Sequence, residues 1–177
     1  KPGNVYLGIV HRIDRPTSGI VMFAKTSKAL SRMNSMFKNQ EVEKLYWAIT
    51  QNKPDDKTGK LIHWLRKNPK NNKSTHFLKE TNNAKRAVLS YRILKTLENY
   101  YLLEIKMESG RHHQIRCQLQ AIGCTIKGDI KYGSKRTNHD GSIDLHARNL
   151  QFIHPVTKKE IDITAPVRDE KIWKSCI

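Results

Sequence analysis

Apolar and polar residues alternate most regularly in the middle of the chain, over residues 101–107. An apolar side chain stands there at every second position, which is the period of a β-strand. The alternating positions are Tyr101, Leu103, Ile105 and Met107. Residues 87–97 are also rich in apolar and β-branched side chains, and Glu98 and Asn99 separate the two segments. The pattern therefore predicts two antiparallel strands joined by a short turn.

Two other segments carry apolar residues at helical spacing. The first follows Thr26, whose hydroxyl suits an N-cap, and runs through about Asn39. The second opens with Arg111 in the stretch RHHQIRCQLQAIG, and Gly123 fits its C-terminal stop. The spaced apolar residues are Leu30, Met33 and Phe37 in the first segment and Ile115, Leu119 and Ile122 in the second. We predict a helix at each.

Further strand patterns complete the expected fold. Residues 19–26 (GIVMFAKT) and 44–50 (KLYWAIT) each predict a strand, and shorter pieces bounded by prolines follow near the C-terminus. Their mixture predicts an α+β fold, with a mixed, mostly antiparallel β-sheet flanked by a few helices and loops. A length of 177 residues fits a single domain, residues 1–177.

A basic stretch at residues 53–86 stands apart from these patterns. It holds ten lysines or arginines, three acids and few apolar groups, so we expect it to leave the core. Two interpretations stay open. The stretch is either a basic hairpin laid against a phosphate backbone or a solvated insertion that contacts nothing.

The overall charge indicates the class of partner. Lysine and arginine number 33 against 16 acids, a net charge of +17, which attracts polyanions such as nucleic acid. Three cysteines without paired spacing make a disulfide framework improbable and favour a reducing, cytoplasmic location. No apolar run is long enough to cross a bilayer, so no membrane partner is expected.

One carboxylate stands among cations near the start of the chain. In GIVHRIDRPTSG, Asp14 lies between Arg12 and Arg15, and Pro16 and Gly19 constrain the loop that follows. Nearby cations favour the ionised carboxylate, which suits a nucleophile or a base. Spacing alone favours the other interpretation, in which Asp14 is an ordinary turn residue in a surface ion pair.

Four stretches in order resemble the motifs of the RluA family of pseudouridine synthases. They are HRIDRPTSG, KLYWAI, SGRHHQIRCQLQAIGCTIKGDIKYG and LHARNLQFIHP, which together reach from residue 11 to residue 155. The departures are small. Ile13 replaces the usual leucine, Ser109 the usual threonine, and Cys117-Gln118 the usual aliphatic residue and histidine.

The resemblance implies an RNA-modifying isomerase. In this family a uridine within RNA loses its N1 glycosidic bond, the uracil rotates, and C5 is joined to the same ribose carbon. Such a reaction implies no small-molecule cofactor and no metal. The resemblance makes Asp14 the essential aspartate, as nucleophile or base, and pairs it with Arg116. Tyr46 becomes the active-site tyrosine, whose ring can stack on uracil and whose hydroxyl can take part in proton removal at C5.

The same resemblance implies a set of RNA-binding residues. Arg12 can enter the space left by a flipped base, or it can contact a phosphate. Arg111 can meet a phosphate or the loop that carries Asp14, and His11 can position that loop. Arg15 and His112 complete the set of predicted RNA contacts. The expected partner is rRNA or tRNA, and the protein is expected to act as a monomer.

Three other interpretations each explain part of the sequence: a glycosidase, a non-catalytic RNA-binding domain and a zinc site. A hydrolytic glycosidase needs a second acid, and only Asp129 lies in the matched stretches, in a Gly-Asp turn that favours a structural role. A non-catalytic RNA-binding domain explains the charge equally well but gives no reason for Asp14, Tyr46 and Arg116 together. Zinc held by His112, His113 and Cys117 lacks a second ligand pair.

The N-terminal end differs from the family pattern. Members usually carry a further strand and a Lys-Pro motif before the aspartate loop, whereas only about ten residues precede it here. We therefore expect the sequence to be a catalytic domain that lacks its N-terminal part.

Overall fold

The computed structural model describes Gly3 and residues 5–177. In that part of the chain it contains ten strands, three α-helices and one short 3₁₀ helix. In chain order the strands are β1 (Gly8–Ile9), β2 (Ser18–Gly19), β3 (Phe23–Ala24), β4 (Glu43–Thr50), β5 (Thr58–Asn68), β6 (Lys73–Phe77), β7 (Lys85–Thr96), β8 (Tyr101–Met107), β9 (Leu145–Ile153) and β10 (Glu160–Thr164). The helices are α1 (Ser27–Lys38), α2 (Gln114–Ala121) and α3 (Lys171–Lys174), and the 3₁₀ helix is Ile130–Tyr132.

One large sheet organises the molecule. Its strand order is β10-β9-β4-β8-β7-β5-β6, and all of these neighbours are antiparallel. The two-residue strand β2 joins it in parallel beside β9, and β1 pairs with β3 in a separate small ribbon. The predicted α+β fold with a mixed, mostly antiparallel sheet is confirmed.

Both faces of the central strands are covered. Because side chains alternate along a strand, β4 and β8 contribute to two cores at once. Ala48 and Leu103 pack on one face against Ile115 and Leu119 of α2. Ile49 and Leu102 pack on the other face against Trp173 of α3, which is fully buried. Helices α2 and α3 are thus held on opposite faces of the sheet.

The predicted helices form with small changes at their ends. Thr26 caps α1 as expected, because its Oγ1 accepts the N–H of Ala29 at 3.1 Å. Helix α2 begins at Gln114, three residues later than predicted, because His113 adopts a left-handed conformation with φ of 50°. At its C-terminal end, Gly123 donates to the carbonyl of Gln120 in a Schellman turn.

The single strand predicted over residues 19–26 is wrong. The chain instead forms β2 and β3, which belong to different sheets. After Gly19 pairs with Ala147 of β9, the backbone crosses over, and Phe23 pairs with Ile9. An apolar β-branched run gives no signal for such a change of partner.

Residues 58–77, within the basic stretch, form the hairpin of β5 and β6 at one end of the sheet. Strand β5 pairs with β7 from Thr58 to Leu65, so this part of the chain does not leave the sheet. Leu65 and Ser74 are buried against the rest of the fold. Among the residues described, no helix is long and apolar enough to span a bilayer, since even α1 has only 12 residues.

Candidate active site

The loop that carries Asp14 is fixed by contacts with β9. The N–H of Thr17 donates to the carbonyl of Asp14 at 2.9 Å, which closes a turn. Ser18 Oγ then lies 2.8 Å from Nδ1 of His146 in β9. Gly19 has φ of 111°, and a Cβ there would lie 2.3 Å from the carbonyl oxygen of Ala147, so only glycine fits. These contacts explain why the Thr-Ser-Gly and Leu-His-Ala stretches occur together.

Arg116 lies between two carboxylates. On one side its Nε and Nη2 donate to both oxygens of Asp129, at 2.7 and 2.8 Å. On the other side its Nη1 donates to Oδ2 of Asp14 at 3.2 Å. Its guanidinium also stands 5.1 Å from the centre of the Tyr132 ring. Burial acts against the charge of Arg116, but the bonds from Asp129 and Asp14 outweigh it and raise its pKa.

The two oxygens of Asp14 have different surroundings. Oδ2 accepts from Arg116 and lies 3.8 Å from Nε2 of His113. Oδ1 accepts no hydrogen bond from any residue in the described part of the chain. The Asp14 side chain is 27% exposed, compared with 1% for Asp129. One oxygen of Asp14 is therefore fixed while the other is available to a bound molecule.

Asp14 opens into a cavity of about 320 Å³. This size is at the lower end of the range for small-molecule pockets. Tyr46 of β4 and Arg116 of α2 also line it. Within the described residues, Asp14 is the single carboxylate of the lining. The lining cations are Arg12, Lys44, Arg111 and Arg116.

Tyr46 is a neutral phenol in this environment. Burial, and secondarily the charge of Asp14, raise its pKa to about 12. At neutral pH its hydroxyl can therefore donate a hydrogen bond, and it becomes a proton acceptor only if its own proton moves elsewhere. The partly buried ring lies beside the cavity, where a planar base can stack on it.

The predicted RNA-binding residues fall into two groups. Arg12, His11, Arg111 and His112 all line the cavity, whereas Arg15 is exposed and lies outside it. His11 is engaged within the fold: its Nε2 accepts the N–H of Met22 at 3.1 Å, and its ring stacks on Phe37. Burial, aided by the charge of Lys44, lowers its pKa, so His11 is neutral at pH 7.

His112 and Arg111 contact the basic hairpin and its neighbour strand. Nδ1 of His112 lies 2.9 Å from Ser74 Oγ in β6, and Nε of Arg111 donates to the carbonyl of Arg86 in β7. Cys117, named above as a possible zinc ligand, donates through its Sγ to the carbonyl of Ser74 at 3.3 Å. Among the described residues, no group of three or more His, Cys, Asp or Glu side chains could hold a metal ion.

Three site residues escaped the sequence reasoning. Lys44 shares strand β4 with Tyr46 two positions away, a spacing that places both on one face, and burial lowers its pKa. Asp129 was assigned to a turn, without its bond to Arg116. The sequence offers His113 only as a possible zinc ligand, but its Nε2 lies 3.8 Å from Oδ2 of Asp14, whereas Nδ1 of its neighbour His112 contacts Ser74.

Comparisons with known proteins show the family of the chain. Residues 1–121 match the family model for RNA pseudouridylate synthases. The chain therefore belongs to this family, and the resemblance to the RluA type is confirmed by its curated relatives. Ribosomal large subunit pseudouridine synthase D of Zymomonas mobilis is 34% identical over 166 residues, which cover 89% of this chain and 52% of that protein. Ribosomal large subunit pseudouridine synthase C of Vibrio cholerae is 34% identical over 173 residues, covering 94% of this chain and 54% of that protein.

Solved structures support the fold. Human RNA Pseudouridylate Synthase Domain Containing 4 superposes with a TM-score of 0.78 at 23% identity, covering 96% of this chain and 74% of that one. Human RNA Pseudouridylate Synthase Domain Containing 1 gives 0.79 at 20% identity, with 97% and 73% covered. The chain spans about half the length of the curated relatives that it matches.

Proposed function

We propose that this chain converts uridine in RNA to pseudouridine. The reaction breaks the bond between N1 and the ribose C1′, turns the uracil, and joins C5 to C1′, while C5 loses a proton and N1 gains one. Substrate and product contain the same atoms. The observation that supports this proposal is the carboxylate of Asp14, which lines a cavity of about 320 Å³, has one oxygen held by Arg116 and has no partner for the other among the described residues.

Asp14 acts first in the proposed reaction. As a nucleophile, its free Oδ1 attacks C1′ and displaces N1 of the uracil. As a base, the same oxygen removes a ribose proton to start cleavage of the N1–C1′ bond and returns that proton when C5 is joined to C1′. Either role needs the carboxylate to be ionised, with Arg116 donating to its other oxygen. Tyr46 stacks on the uracil as the base turns, and its hydroxyl, which is neutral at rest, takes part in removal of the C5 proton.

RNA reaches the cavity over a basic surface. A base must be unstacked before it enters, at a cost of about a few kcal/mol. Arg12 is exposed at the rim of the cavity, where its guanidinium can fill the vacated stack or bind a phosphate. A groove continues from the cavity, and its charged lining residues are four cations and two acids: Lys38, Lys44, Lys106, Arg111, Glu43 and Glu108. Because the cations outnumber the acids, the strand that flanks the flipped nucleotide follows a path of net positive charge. The names of the relatives make large-subunit ribosomal RNA the first substrate to test.

The test compares the unmodified protein with Asp14→Asn and Asp169→Asn. Unmodified large-subunit ribosomal RNA made by transcription is the substrate, and pseudouridine is mapped by carbodiimide labelling. Asp169 is a matched control because it is 87% exposed and, among the described residues, forms an ion pair only with Lys174 at the surface. We expect conversion by the unmodified and Asp169→Asn proteins, and a loss of at least about 10⁴-fold in Asp14→Asn, as for an essential reacting group.

Three results would contradict the proposal. An active Asp14→Asn protein would remove the central carboxylate from the mechanism. Release of free uracil would indicate hydrolysis. Tight binding of RNA without any conversion by the unmodified protein would indicate an RNA-binding domain that has the same fold but no activity.

A further inference from the structure

Two adjacent histidines precede α2, and the backbone directs them differently. His113 is the N-cap of the helix, and its φ of 50° and ψ of 32° are left-handed. A residue other than glycine in this region carries a cost of roughly 1 kcal/mol, which the surrounding contacts must offset. The conformation turns the His113 ring inward, where the side chain is only 7% exposed. The strained backbone of His113 therefore accompanies a buried position of its imidazole ring.

That imidazole joins Asp14 to the interior of the protein. Its Nδ1 lies 3.0 Å from the hydroxyl oxygen of Tyr132, and that oxygen accepts the N–H of Ser74 at 2.8 Å. Its Nε2 faces Oδ2 of Asp14 at 3.8 Å. A row of contacts thus runs from the backbone of β6, through Tyr132 and His113, to the carboxylate.

The hydrogen bonds determine which nitrogen carries the proton. If the hydroxyl of Tyr132 donates to Nδ1, then Nδ1 is the acceptor nitrogen of the neutral ring. The ring proton is then on Nε2, and this N–H faces the carboxylate of Asp14. If Nδ1 carried the proton instead, the Tyr132 proton would lack this acceptor and the lone pair of Nε2 would face a negative charge. Only the first arrangement satisfies every partner.

The charged imidazolium is excluded by its surroundings. Burial, and then the charge of Arg116, lower the pKa of His113 to about 3. The titratable or charged groups that surround the ring are Asp14, His112, Arg116, Asp129, Lys131 and Tyr132. His113 is thus a neutral donor at neutral pH.

We propose that His113 is a positioning residue for Asp14: its Nε2–H, fixed in direction by Tyr132, holds Oδ2 together with Arg116 and leaves Oδ1 turned to the cavity. The 3.8 Å separation shortens to a hydrogen bond when RNA fills the site, as catalytic contacts commonly do on substrate binding. This role rests on the proposed isomerisation of uridine.

Two substitutions separate positioning from support of the fold. His113→Gln places an amide N–H near the position of Nε2, whereas His113→Asn reaches only the position of Nδ1. Asparagine tolerates left-handed backbone better than glutamine does, so the Asn protein should be at least as stable as the Gln protein. Activity should follow the opposite order if the donor matters.

The experiment measures single-turnover conversion and RNA affinity with transcribed large-subunit ribosomal RNA, using His139→Gln, an exposed histidine, as control. We expect His113→Asn to convert about 10²-fold more slowly with unchanged affinity, the size expected for a misplaced reacting group. His113→Gln should stay within about tenfold of the unmodified protein. Activity that follows stability, with Asn above Gln, would overturn the proposal.

A second measurement does not depend on activity. Long-range proton–nitrogen NMR correlations report the tautomer of each histidine in the full protein without RNA. We expect His113 to be neutral with its proton on Nε2 from pH 8 to pH 5. A proton on Nδ1, or an imidazolium at pH 6, would overturn the proposed role. If the expected tautomer is found but the unmodified protein converts no uridine, the proposed isomerisation fails and the assigned hydrogen-bond geometry stands.

Discussion

Arg116 has a carboxylate on each side, and the protein treats the two in different ways. Asp129 is buried, and both of its oxygens accept from the same guanidinium. Asp14 is partly exposed and shares only one oxygen. A third carboxylate, Asp144, resembles Asp129, because Trp173 donates to its Oδ1 and Lys127 to its Oδ2. Buried carboxylates that support this fold are bound at both oxygens, and the one assigned to the reaction is not.

The difference follows from the energetics of buried charge. An ionised carboxylate without partners is costly to bury, so a structural one is surrounded by donors. An oxygen that must react cannot be saturated with donors, because those bonds would have to break first. Asp14 therefore lies at the cavity, where water or substrate satisfies Oδ1, and the rigid pair of Asp129 and Arg116 lies behind it.

The largest expected effect on stability comes from neutralising these two carboxylates one at a time. Asp129→Asn leaves the Arg116 charge with one partner in a buried site, so we expect a loss of about 3–5 kcal/mol in the free energy of unfolding. Asp14→Asn removes a partly exposed partner, and its loss should be below about 1 kcal/mol. Urea unfolding measures both values. Equal losses would show that the two carboxylates support the fold alike.

The site could be predicted in part because its motifs are local. The sequence around Asp14, Tyr46 and Arg116 resembles family motifs, and the fold follows from regular alternation in strands such as β8. Asp129 could not be paired with Arg116, because a turn of the chain after α2 brings it back beneath the helix. Nothing in the pair His112-His113 shows which ring turns inward, since that depends on a left-handed residue. The crossing of residues 19–26 between two sheets depends on β9, more than 120 residues further along the chain.

A second, smaller effect concerns acid. A histidine in the unfolded chain titrates near pH 6.5, whereas the pKa of His113 in the fold is lowered to about 3 by burial and by Arg116. Between these values the unfolded chain binds a proton that the folded chain refuses, so stability falls as the pH falls. From pH 7 to pH 5, His113 alone should remove about 2 kcal/mol.

Four other histidines act in the same direction, because burial lowers the pKa values of His11, His63, His112 and His146. The contribution of His113 is therefore isolated by difference. Urea unfolding at pH 7 and pH 5 should show a smaller acid loss for His113→Gln than for the unmodified protein, by about 2 kcal/mol. Identical losses would mean that the imidazolium of His113 is tolerated beside Arg116. His113 would then not be a fixed neutral group next to the free oxygen of Asp14.

The smallest effect separates the two arginines that flank Asp14. Arg12 lines the cavity and Arg15 does not, although both are exposed on the same loop. Arg12→Gln should slow conversion and weaken binding together, because the guanidinium meets the flipped nucleotide. Arg15→Gln should weaken binding only a few-fold and reduce the salt dependence of affinity by about one phosphate contact, with conversion at saturating RNA unchanged. Affinity measured from 50 to 200 mM salt, with single-turnover rates, decides between these roles. Equal slowing by Arg15→Gln and Arg12→Gln would contradict these roles. The cavity lining would then not determine which arginine acts on the nucleotide. The substrate would have to lie across the loop rather than within the cavity.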